Sequence, residues 1–176
     1  METSIETKMP FYNFVNIFLP GIAFIGICIL LFFDNIKDQV TSITHLGSTG
    51  IEILISVACF AIAYEVGYIL FRLGAIAVEP LLKKLFGWTQ YDMFVAAKKA
   101  GANSLDMLSR EYGYARTQII LFLSLSVLMA VKSQWIILGV CLLCVVIFIL
   151  TARGHIKKIA ITVEKYTSDK ICSNAD

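Results

Sequence analysis

Apolar residues in this chain gather into four long runs, and the polar residues fall between them. The runs cover Phe14 to Phe33, Ile51 to Phe71, Thr117 to Val131 and Trp135 to Leu150. An α-helix rises about 1.5 Å per residue, so roughly 20 apolar residues cross the ~30 Å of bilayer hydrocarbon. The last two runs form one apolar stretch broken only by Lys132, Ser133 and Gln134. A single helix through both would reach about 50 Å, far beyond that thickness. The pattern therefore predicts two helices in a tight hairpin. The expected architecture is an all-α integral membrane protein, a four-helix transmembrane bundle.

Local signals refine this plan. Pro20, beside Leu19 and Gly21, removes a backbone donor and predicts a kink in a continuous first span. Residues 72–116 read as a cytoplasmic helical connection in two or three pieces. A short amphipathic segment runs from Pro80 to Gly87, and Thr89 with Asp92, then Asn103 with Asp106, has the spacing of helix starts. The last of these helices is expected to run straight into the third span. Four segments follow: a first transmembrane hairpin in 1–71, a cap in 72–116, a second hairpin in 117–151 and an amphipathic tail in 152–176. Ile156, Ile159, Val163 and Tyr166 recur at helical spacing in that tail and predict a free apolar face for a partner.

Composition agrees with the pattern. The chain is 58% hydrophobic and 16% charged, against roughly 45–50% and about 25% in soluble domains. What lies outside four spans suffices for one small helical cap and no second globular domain. Charge then orients the chain. The connection after the second span holds seven Lys and Arg and the tail five, whereas the other two loops hold one each, Lys37 and Lys132. Positive charge collects on the cytoplasmic side, which places the cap, the tail and, by parity, the N-terminus there. The first ten residues hold Glu2, Glu6 and only Lys8, which is not the basic start of a cleavable signal.

Few residues suggest chemistry. Cys141 and Cys144 form a C-x-x-C inside an unbroken apolar run, where small packing residues are the simpler account. His45 and His155 fall on opposite expected sides of the membrane, and no catalytic or phosphate-loop motif occurs. The sequence implies no enzyme, no cofactor and no metal. Glu65 stands apart, because an ionisable group within a span is costly and faces protein or water. It shares a helical stripe with Leu54, Ala58, Ala61, Tyr68 and Arg72, and Ala63 with Gly67 adds a small-xxx-small pair nearby. Either the stripe lines a polar path in an oligomer, or Glu65 is a structural carboxyl held by Tyr68. Lys83, Lys84 and Trp88 read as interface anchors toward anionic lipid, in preference to a nucleic-acid surface.

Two stretches carry a resemblance. The lead Phe11-Tyr12-Asn13-Phe14-Val15-Asn16-Ile17-Phe18-Leu19-Pro20-Gly21 resembles the first helix of small multi-pass bacterial membrane proteins. Tyr64-Glu65-Val66-Gly67-Tyr68 and Leu108-Ser109-Arg110-Glu111-Tyr112-Gly113-Tyr114-Ala115-Arg116 resemble the same group. Proteins of this plan occur as membrane effectors of anti-phage systems of retron and cyclic-nucleotide type. The resemblance implies an oligomeric inner-membrane effector that conducts ions or perturbs the bilayer when a cytoplasmic protein or ribonucleoprotein triggers it. The alternative is a membrane anchor that recruits a soluble protein through cap and tail.

Overall fold

The computed structural model describes residues 9–32, 49–99 and 101–173, and these contain helices and short turns but no strand. Helix α1 spans Met9–Phe32, α2 Thr49–Leu73, α3 Glu79–Phe86, α4 Tyr91–Lys99, α5 Ser104–Val131 and α6 Trp135–Ser173. A π-helical turn, Gly74–Val78, joins α2 to α3 without a break. Four segments are long and apolar enough to cross a membrane: Phe14–Leu31, Glu52–Phe86, Ser104–Val131 and Trp135–Ser168. Each contains all or most of one apolar run. The expected polar start, with Glu2, Glu6 and Lys8, and the loop carrying Lys37 and His45 lie outside the described residues.

Helix α5 is the centre of the bundle. Half of its apolar window is buried, against 17–22% for the other three. It pairs along its length with α6, and α2 packs on it with α1 alongside. Leu70, Leu121, Leu125 and Cys141 form the core of the bundle's middle. The outer faces are apolar and uncovered: Leu30 is 80% exposed, Leu54 69% and Ile136 86%. So much exposed aliphatic surface marks a contact with lipid or with other protein.

The α1–α2 crossing is close because both helices present glycine. A Cβ added at Gly21 would run into the carbonyl oxygen of Ala63, and one at Gly67 into that of Ile17. The small pair Ala63 and Gly67 is thus used within the chain. Phe14, Phe18 and Phe60 stack beside it, with Phe18 and Phe60 centroids 4.1 Å apart. α1 continues through the buried Pro20, whose missing N–H leaves the Asn16 carbonyl without its intrahelical donor.

The π turn serves alignment. Buried positions on this long helix are Ala63, Gly67, Leu70, Gly74, Val78 and Leu82. Steps of four and three hold one face of an α-helix, but the three successive steps of four from Leu70 to Leu82 drift by roughly 120°. The wider turn at Gly74–Val78 absorbs that drift and keeps Val78 and Leu82 on the bundle side.

The two tightest corners share one chemistry. At the end of α5, Gln134 N–H donates to Met129 and Ser133 N–H to Ala130, with Ser133 at φ 56°. At the end of α4, Ala102 N–H donates to Ala97 and Gly101 N–H to Lys98, with Gly101 at φ 94°. Both are Schellman caps, in which a left-handed residue lets the chain recover the last helical carbonyls. The first is the expected hairpin turn, made without glycine.

Sequence boundaries shift in two places. α6 runs on to Ser173, so fourth span and tail are one helix. α4 begins at Tyr91, two residues after Thr89, whereas α5 begins directly after Asn103. α4, the first turns of α5 and the last turns of α6 form the cap, around Ala97, Ala102, Leu105, Ile159 and Val163. An ion pair from Lys98 to Asp106 at 2.7 Å edges it, and Nδ1 of His155 lies 3.3 Å from Glu111.

Candidate functional site

Where the cap meets the bundle, polar side chains from three segments converge. Glu79 opens α3, turned inward just after the π turn. Its Oε1 lies 2.6 Å from Nζ of Lys83, one helical turn on, and its Oε2 accepts from Arg116 of α5. Arg116 is 9% exposed and also lies over the Phe71 ring, 5.2 Å from its centroid. Gly74 makes room for it, because a Cβ there would press on the Arg116 side chain and carbonyl. The helix wall is therefore shaped around this arginine.

A cavity of about 250 Å³ opens beside the pair, lined among others by Asn16, Phe71, Glu79, Tyr112 and Arg116. Tyr112 is 3% exposed and stacks on Trp88 with centroids 5.3 Å apart. Its hydroxyl, and Nε of Arg116, are buried without a hydrogen-bond partner among the described residues. Unsatisfied buried polar atoms cost about 1–3 kcal/mol each, and two of the three among the described residues belong to residues lining this cavity, the third being Nδ1 of His155. A second, shallower hollow of about 630 Å³ lies across the cap, between Phe86, Trp88, Arg153 and Lys157.

The expected anchors divide. Lys83 and Trp88 belong to this junction, with Nζ of Lys83 4.6 Å from the Trp88 ring centroid. Lys84 alone points fully outward. The expected stripe on α2 is an outer surface: Leu54, Ala58, Ala61, Glu65 and Arg72 are exposed, and Tyr68 is half-buried. Tyr68 pairs with Arg72, whose Nε donates to the hydroxyl at 2.8 Å, and not with Glu65. Glu65 therefore stands on the face turned away from the chain's own bundle.

The tail face is not free. Ile156, Ile159 and Val163 are buried within the chain, and Tyr166 packs on the same cap core. Ile159 and Val163 are covered by α4 and α5 of the same molecule, and Ile156 packs with Val78, Leu82 and Tyr112. Sequence reasoning passed over Glu79, Tyr112 and Arg116. The available signal was an acid beside Pro80 and an arginine at the start of the third apolar run, both where polar sequence meets apolar.

Among the described residues, no group of three or more His, Cys, Asp or Glu side chains could hold a metal ion. Comparison with protein-family models, curated proteins and solved structures gave no match.

Proposed function

We propose that this chain is a multi-pass inner-membrane protein, with cap and both termini cytoplasmic, whose copies assemble through the outer face of α2 into an effector that alters membrane permeability. One observation carries the reading: Glu65 lies outward, amid exposed Leu54, Ala58 and Ala61, on a segment apolar enough to cross the bilayer. A carboxylate facing lipid at depth costs about 3 kcal/mol on insertion scales. A second copy removes that cost by covering it. The small residues Ala58 and Ala61 permit close approach, while Glu65, Tyr68 and Arg72 would supply a polar seam at the contact. A trigger from a cytoplasmic partner, as in the defence effectors the sequence resembles, would act through the cap.

The test is inducible expression in a bacterium, together with the native neighbouring genes and their trigger, read with a membrane-potential dye. The expected result is rapid depolarisation by the wild type, lost in Glu65→Gln and Glu65→Ala at equal membrane abundance. Unchanged potential in all three would reject the effector.

A further inference from the structure

We infer that the cavity between Glu79, Tyr112 and Arg116 is a binding site for the phosphodiester of an anionic lipid headgroup. Four observations converge on it. First, the cavity is walled by protein on several segments, and two of its lining residues, Tyr112 and Arg116, each carry a buried group left without a partner, the hydroxyl and Nε. Arg116 Nε–H can only donate and the Tyr112 hydroxyl can donate, so an acceptor oxygen suits both.

Second, the local charge is positive. Arg116 lines the cavity and Lys83 lies against Glu79, so two cations face one carboxylate. Both oxygens of Glu79 are already engaged, one by Lys83 and one by Arg116. The ligand therefore arrives as an anion and meets no free carboxylate. A cationic choline would gain nothing here.

Third, the volume, about 250 Å³, falls below the roughly 300–1,000 Å³ of pockets that enclose drug-sized ligands. It has room for a headgroup phosphate and its glycerol. Fourth, the position is that of a headgroup: the cavity sits where the cap's ion pairs give way to the apolar bundle, with Trp88 at its edge. Basic pockets of this kind between helices on the cytoplasmic side bind lipid phosphates. The inference rests on the membrane placement proposed above, but not on the oligomer. Resistance to alkaline extraction from membranes tests the placement separately.

The full chain, purified in detergent, would be incubated with phosphatidylglycerol or phosphatidylcholine of identical acyl chains, and bound lipid counted by native mass spectrometry. Trp88 fluorescence in a Trp135→Phe background gives a second reading. The wild type should retain phosphatidylglycerol preferentially. Tyr112→Phe, which keeps the ring stacked on Trp88, should weaken that retention about tenfold, the loss of one hydrogen bond to a charged group. An Arg153→Gln, Lys157→Gln double variant, altered only at the other hollow, should keep the preference. Equal retention of both lipids, an unaffected Tyr112→Phe, or loss of preference in the double variant would overturn the site. Displacement by millimolar glycerol 1-phosphate would reassign it to a soluble phosphate ester and overturn the lipid.

Discussion

Gly67 of α2 meets the carbonyl oxygen of Ile17 of α1 so closely that no side chain fits between them. The reciprocal contact, Gly21 against the Ala63 carbonyl, lies one turn away. Backbone cannot yield as a side-chain tip can. Gly67→Ala and Gly21→Ala should each destabilise the bundle by about 3 kcal/mol, the upper end for overpacking. Gly26→Ala, on the same helix with open space around its Cα, should stabilise by up to about 1 kcal/mol through helix propensity. Thermal unfolding in detergent would show the opposite signs.

The junction predicts an asymmetry between two partners of one ion pair. Arg116→Met leaves Glu79 still paired with Lys83 at 2.6 Å. Glu79→Gln leaves the Arg116 guanidinium, whose side chain is 10% exposed, without its carboxylate. A buried charge stripped of its partner costs about 3–5 kcal/mol. Glu79→Gln should therefore be the more damaging by about 2 kcal/mol or more. Adding Arg116→Met to Glu79→Gln should restore much of the loss. Denaturant midpoints of the three variants would check the order; equal losses from both single changes would contradict it.

The sequence shows the hairpin, the cap helices and the tail stripe because each follows from a local quantity: a length in residues, a capping position, a period. What covers each face is not local. Ile156, Ile159 and Val163 lie on one line by periodicity alone, yet only the fold shows that α4 and α5 cover the last two while Val78, Leu82 and Tyr112 cover the first. Ala63 and Gly67 announce a close contact without saying with what. Glu79 and Arg116 are 37 residues apart, and their pairing depends on a π turn that nothing in Gly74-Ala75-Ile76-Ala77-Val78 signals. Glu65 was visible as an anomaly, but whether it faced inward or outward was not.

Ser133 holds a left-handed conformation, φ 56°, at the cap of α5. For a residue with a Cβ this costs about 1 kcal/mol, which glycine avoids. Ser133→Gly should stabilise the hairpin by about that amount, and Ser133→Val should destabilise it, since a β-branched side chain suits that region least. Neither change touches the cap or the cavity. Both should alter thermal stability while leaving lipid retention as in the wild type.

The tail's role inside the chain is tested by a contrast on one helix. Val163 is fully buried against the cap, whereas Ile161, two residues earlier, is 56% exposed. An aspartate at the first position would place a charge in an apolar core with no partner, a change of several kcal/mol. Val163→Asp should release α4 and the end of α6, seen as rapid proteolysis at the cap while the four long apolar segments stay protected. Ile161→Asp should leave the digestion pattern unchanged. If Ile161→Asp instead opened the cap and Val163→Asp did not, the tail would pack by its other face.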